Sequence, residues 1–217
     1  MDPTAFVAEL ETFKAAQLAP LVGAGASSAG EARGADVPSL LKVALVNEIN
    51  VSELAAAWIP TTREVDVKLA FARQVGDEAS HFRLVADRLA ALGLDVSAFE
   101  APAESPLFAY MKALPTTVER VAAGLFTLES IAYGVNEAFM SYCARAGDDE
   151  TVRIYREYIQ PDERAHQELG QALLAKYATT PGAQAAARAV VTQVIAMATA
   201  GRAKAAASLG TACLPGC

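Results

Sequence analysis

Histidine is nearly absent from this chain: 217 residues include two, His81 and His166. Cysteine is almost as scarce. Cys143, Cys213 and Cys217 are too few and too unevenly spaced for a disulfide framework. The last two form a Cys-x-x-x-Cys spacing within CLPGC. A zinc site there would need histidines that are better used elsewhere, so a frayed tail is expected. No block of lysine or arginine occurs and the net charge is −7, which argues against nucleic acid and anionic membrane as partners. The most apolar stretch, 183–207, is interrupted by Arg188, Arg202 and Lys204 and reads as a packed helix, not a membrane span. The opening MDPTAFVAELETF is acidic and lacks the charged and apolar regions of a secretory signal. A cytoplasmic location is therefore expected. What remains is 53% hydrophobic and 20% charged, the balance of one globular domain spanning 1–217.

Strand-type alternation is also scarce. Apolar residues recur instead at spacings of three and four in every long segment, which is the helical period. An all-α fold is expected. A first helix covers about 3–18, and the Gly/Ala/Ser-rich 19–36 reads as a loop or linker. Long helices are expected at about 38–59 and 61–92, the second opened by a capping box of Thr61 and Glu64. A connection with Pro102 and Pro106 follows, then a short helix at 106–113. A third long helix opens on Pro115 and a second capping box, Thr116 with Glu119, and runs to about 145. The fourth runs to about 178 with Pro161 inside it, and a last helix covers about 183–209. Two long hairpins joined by a long connection make the ferritin-like layout, a four-helix bundle with one long crossover (about 38–178) plus accessory N- and C-terminal helices.

Both histidines sit in the same setting. The chain reads Asp77-Glu78-Ala79-Ser80-His81 and Asp162-Glu163-Arg164-Ala165-His166. At this acid content, two acids at fixed offsets before one histidine arise by chance roughly once in 80 trials. On a helix, residues three apart share a face, so each Glu and its His aim at one point, as a divalent metal requires. A single Glu-x-x-His is as often a plain helix contact; two, with no other histidine in the chain, favour metal.

A dinuclear site needs one further Glu from each remaining helix. Two residues of an antiparallel hairpin lie level when the turn falls midway between them. Glu48 and Glu78 have their midpoint at residue 63, beside the Pro60–Arg63 break; Glu53 would move it into the next helix. Glu129 and Glu163 have theirs at 146, in the Ala-Gly-Asp turn; Glu137 would place it inside the fourth helix. Glu48 and Glu129 also lie on apolar stripes with no cation to pair with. The expected ligands are therefore Glu48, Glu78, His81, Glu129, Glu163 and His166.

This pattern resembles the ferritin-like di-iron carboxylate superfamily, over about residues 38–178. Its intervals of 30 and 34 residues between Glu48 and Glu78 and between Glu129 and Glu163 are similar to those of bacterial multicomponent monooxygenase hydroxylases and the ribonucleotide reductase small subunit, and its doubled Asp-Glu-x-x-His resembles the monooxygenases most. Aldehyde-deformylating oxygenases share the ligand set and the size. The resemblance implies two iron ions, with manganese or zinc acceptable to the same ligands, and aspartates that orient the histidines without binding metal: Asp77 would hold His166 and Asp162 would hold His81. It also implies O2 and a small, mostly apolar organic substrate, a ferredoxin or flavoprotein as electron donor, and room for a homodimer. The alternative within the same superfamily is ferritin-like iron oxidation and storage, or peroxide detoxification.

Tyr133, four residues after Glu129, is the candidate catalytic side chain, with packing as its plainer role. Gln74 and Gln167 are candidate polar lining, and Asn136 a weaker one. Pro161 removes a helix hydrogen bond two residues before Glu163 and is expected either to widen the helix there or to start a second segment. Gly124, Ala132 and Gly134, with Ala72 and Gly76, are expected to leave an apolar cavity against the site, bordered by Tyr133.

Overall fold

The computed structural model describes residues 1–28 and 35–216, the side chains of 26–28 excepted. Among these residues there are seven helices and no strand. They are α1 (Pro3–Ser28), α2 (Val37–Trp58), α3 (Val65–Ala91), α4 (Pro106–Lys112), α5 (117–145), α6 (149–177) and α7 (Pro181–Leu209). A 3-10 turn, Ile59–Thr61, links α2 to α3. Two helices contain a π-helical stretch, Ala122–Leu128 in α5 and Tyr155–Ile159 in α6. No described helix is long and apolar enough to cross a membrane.

Local chemistry sets most boundaries. Asp36 caps α2 by accepting from the Ser39 amide at 2.9 Å, with Pro38 in the first turn where its missing N–H costs nothing. The Thr116–Glu119 capping box is present in full. Asp148 and Thr180 cap α6 and α7. Gly147 supplies the positive φ, 77°, of the tight turn between α5 and α6.

Three boundary expectations are corrected. The helix expected at 3–18 continues through Ser28. Its glycine Gly25 is a packing position and not a breaker: a Cβ there would lie 3.0 Å from Ala138 of α5. Of the rest of the expected linker, 29–34 lie outside the described residues and 35–36 are non-helical, as expected. The first capping box does not form. Glu64 is the N-cap of α3 but makes no cap bond; its carboxylate accepts from the Thr117 hydroxyl at 2.5 Å, bridging to the start of α5. The C-terminal segment is not frayed either. Cys213 and Leu214 are buried, Asn47 donates to the Pro215 carbonyl at 3.2 Å, and the Gly216 amide donates to Asn136 at 2.8 Å. Leu214 enters the apolar core, which turns a polar-looking terminus into a docked one.

α2 and α3 run antiparallel in contact along their length, with Ser52 donating to the Val75 carbonyl. α5 and α6 are likewise antiparallel: Gln167 reaches the Glu129 carbonyl, and Asn136 reaches Gln160. α1 and α7 pack outside α5. The apolar core divides into two clusters. On α2, α3 and α6 the residues of one cluster lie on one side of a buried polar layer and those of the other lie beyond it. That layer holds Glu48, Glu78, His81, Glu163 and His166, and Glu129 of α5 joins it.

Candidate metal centre

Each of four helices delivers its share of this layer. α2 brings Glu48, α3 brings Glu78 and His81 one turn apart, α5 brings Glu129, and α6 brings Glu163 and His166. All six side chains are buried. Their ligand atoms form two groups, each with all atoms within 4.8 Å of one another: Glu48, Glu78, His81 and Glu163, and Glu78, Glu129, Glu163 and His166. Glu78 and Glu163 belong to both. Two ions would thus share two carboxylates, and each would have one further carboxylate and one imidazole of its own.

The histidines are oriented alike. His81 turns Nδ1 inward, 3.5 Å from Glu48 and 3.4 Å from Glu78, and His166 turns Nδ1 to within 3.6 Å of Glu78 and Glu129. Their outer nitrogens are held across the hairpins: His81 Nε2 lies 3.2 Å from Asp162, and His166 Nε2 lies 3.0 Å from Asp77. An imidazole whose Nε2–H is given to a carboxylate presents a bare Nδ1 lone pair inward, the form a metal takes.

The hydrogen-bond inventory tests whether these residues suit a cation. Both oxygens of Glu78, one each of Glu129 and Glu163, and Nδ1 of both histidines are buried without a hydrogen-bond partner. Buried polar atoms are almost always satisfied, so a set of six facing one space is a donor set built for something else. Four carboxylates and two imidazoles suit iron, manganese or zinc. The electrostatics agree. Burial, and then the neighbouring Glu129, push Glu78 and Glu163 well above the ordinary carboxylate range. Burial works against Glu129 as well, but Glu163, His166 and Gln74 outweigh it and hold that carboxyl low. Burial also opposes charge on the histidines; Glu48 and Glu78 nevertheless raise His81 to about 11, and Glu129 is the main cause that raises His166 to about 9. So much negative charge in one buried space requires compensation by protons or cations.

The two halves are not equivalent. The Gln74 amide donates to Glu129 Oε1, so that carboxylate has one oxygen, Oε2, left without a partner. Gln167 fixes the backbone behind it, donating to the Glu129 carbonyl at 3.2 Å. Glu48 has no such amide partner among the described contacts.

The π turns stand immediately before the ligands of the second hairpin. In α6 the stretch 155–159 ends just ahead of Pro161, whose ring would otherwise press on the preceding turn. The widening expected from Pro161 is thus present. In α5 the stretch 122–128 ends at Glu129. The sequence carries no proline to announce that one.

Tyr133 is half-buried and outside the ligand groups; what ties it to this region is its backbone carbonyl, which accepts from Gln160 at 3.1 Å. The expected small-residue cavity is corrected. Trp58 stands 3.0 Å from where a Gly124 Cβ would be, Val22 of α1 fills the space over Gly134 at 2.8 Å, and Ala72 and Gly76 face solvent. An apolar pocket of about 480 Å³ lies elsewhere, between α2, α4 and α7, with Asn47, Phe108, Met197 and Leu214 in its walls.

Residues 44–205 match the family described as "Protein of unknown function (DUF455)". The chain belongs to the DUF455 family. The matched span holds all six clustered side chains and both aspartates, whereas α1 lies outside it. No curated protein and no solved structure matches the chain. For this DUF455 protein the site itself is therefore the guide to function.

Glu53 and Glu137, the carboxylates set aside on hairpin geometry, are exposed. Replacing Glu48 with alanine is expected to remove one ion from a metal titration, while Glu53→Ala leaves the stoichiometry unchanged; the reverse result would place the wrong face of α2 inward. Asp77→Ala is expected to weaken metal affinity on the order of tenfold to a hundredfold with the stoichiometry kept, since it frees the His166 ring without removing a donor. A full loss of one ion would make Asp77 a ligand instead.

Proposed function

We propose that this DUF455 protein is a ferritin-like dimetal carboxylate oxygenase or oxidase, with two iron ions as its cofactor. The observation that carries the reading is the set of buried, partnerless donor atoms from four helices, divided into two groups that share Glu78 and Glu163. Glu48 and His81 would complete one ion's shell, Glu129 and His166 the other's. Bound iron at such a site supplies the electrons for O2 reduction and the oxidising power for an organic substrate.

The chain's own part is positional. Asp77 and Asp162 hold both imidazoles in one tautomer and one rotation. Gln74 donates to one oxygen of Glu129, so that the other, Oε2, would be the atom this carboxylate offers a metal. The two apolar clusters flanking the polar layer keep bulk water out. The apolar pocket between α2, α4 and α7 is of a size for a small, mostly apolar molecule, but none of the six clustered side chains lines it. Electrons would come from a ferredoxin or flavoprotein. The two-helix additions outside α5 favour this over iron storage, for which a hollow shell of many copies is needed.

Anaerobic Fe(II) loading followed by elemental analysis, with O2 consumption measured on the reduced protein, tests the reading. Two irons per chain and rapid O2 uptake by a monomer or dimer are expected. No bound iron would refute the metal centre. A large hollow assembly by light scattering would select iron handling.

A further inference from the structure

Lys14 of α1 is a lysine with 1% of its surface exposed. Taking an ammonium out of water costs several kcal/mol unless partners replace the water. Lys14 occupies the stripe of Leu10 and Leu18, where a leucine or methionine would pack without that cost. Its three donors are all engaged. Nζ lies 2.8 Å from Glu11, 2.9 Å from the Phe126 carbonyl and 2.6 Å from the Ser130 hydroxyl, and stands 3.8 Å over the Phe126 ring. Two of the three acceptors flank Glu129, three residues before it and one after.

The Phe126 carbonyl belongs to the π stretch, where the helix ladder is out of step: the Glu129 amide bonds to Gly124, five residues back. Side chains add further donors to the carbonyls of this stretch. Thr127 donates to the Ala122 carbonyl at 2.6 Å, Ser130 donates to Phe126 at 2.8 Å, and Lys14 adds its bond to the same oxygen. Glu11 is held in turn by Gln171 of α6 at 3.1 Å. A chain of contacts thus joins α1 to both helices of the second hairpin on either side of Glu129.

We propose that Lys14 is a positioning residue for the Glu129–His166 half of the centre, gripping the π turn of α5 so that Glu129 is held at the depth and rotation the site needs. This rests on the metal-centre reading for its consequence, but the grip itself can be measured without metal. The Glu48–His81 half, built on α2 and α3, has no contact with Lys14 among those described and serves as the internal control.

Lys14→Met keeps the length and apolarity of the side chain and removes the donors. Hydrogen exchange of the protein without added metal is expected to show amides 126–131 exchanging on the order of tenfold faster, with those of α2 and α3 unchanged. In a Co(II) titration followed by visible absorption, wild type is expected to take up two ions. The variant should keep the first affinity and lose about tenfold or more in the second. Ser130→Ala, a milder change at the same contact, should move both readouts in the same direction by less and covers the case in which Lys14→Met does not fold. No local change in exchange, or an equal loss in both ions together with a general rise in exchange, would overturn the proposal. Wild type that binds no Co(II) would refute the metal centre, and the exchange pattern would still decide whether Lys14 holds the turn.

Discussion

Glu78→Gln is expected to abolish the dimetal centre while leaving the fold intact. Glu78 is fully buried, belongs to both ligand groups, and has neither oxygen hydrogen-bonded. Under the proposed dimetal reading its loss would therefore take a donor from both ions at once, whereas Glu48→Gln would take one from a single ion. Metal uptake should fall from two ions to fewer than one. The fold should survive because burial and Glu129 already push the Glu78 carboxyl strongly toward its neutral form, and an amide is close in shape to a protonated acid. The signature is a reversal of sign in thermal stability. Ligand present at a hundred times its dissociation constant stabilises a fold by about 2.7 kcal/mol, so wild type should melt higher when loaded with metal. The variant, with one buried acid fewer, should melt at or above wild type without metal and gain nothing from its addition. A variant that still binds two ions would show that Glu78 bridges nothing. One that unfolds would show a structural role for its carboxyl.

The cluster of six buried side chains was legible in the sequence because its spacing is periodic. Glu-x-x-His on a helix is a local pattern, and hairpin geometry turns a turn position into a level, which separated Glu48 from Glu53 and Glu129 from Glu137. The cross-helix partners Asp77 and Asp162 came with the resemblance and not from spacing; the structure pairs them with His166 and His81. What was illegible depends on packing between distant segments. Gly25 reads as a breaker until Ala138 is seen against it, and Glu64 reads as a capping residue until Thr117 draws its carboxylate away. The small residues of α5 suggest open space, but Trp58 and Val22 use it. Lys14 left one faint trace, a cation in the stripe between Leu10 and Leu18, which a reading of α1 as an accessory helix passes over. The π turn before Glu129 left none, since no proline marks it and the side chains that meet its carbonyls are Thr127 and Ser130 of the same helix and Lys14 of α1.

Gly170→Ala is expected to be the most destabilising single methyl in the chain's second hairpin. An added Cβ would lie 2.7 Å from the Leu125 carbonyl carbon, 2.8 Å from the Phe126 nitrogen and 2.9 Å from the Leu125 oxygen. All three are backbone atoms of the π stretch, so no side chain can swing aside; α6 must move away from α5. Alanine in a helix interior favours folding by about 1 kcal/mol over glycine, but overpacking a tight contact costs about 1–3 kcal/mol and sometimes more. The overpacking term should win here because the obstacle is main chain, leaving a net loss of about 1–2 kcal/mol and a fall in Tm of roughly 2–8 °C for a domain of this size. Gly76 supplies the contrast. It lies inside α3, faces solvent and has nothing within 4 Å of its would-be Cβ, so Gly76→Ala should stabilise by about 0.5–1 kcal/mol. The two variants differ by the same methyl group on the same kind of backbone, and calorimetric melting separates them. Because the displaced backbone leads directly into Glu129, Gly170→Ala should also weaken the second ion of a metal titration more than the first. Equal and opposite Tm shifts with no difference between the two ions would confine the role of Gly170 to packing, and a stabilised Gly170→Ala would mean that α5 and α6 do not approach this closely at the π turn.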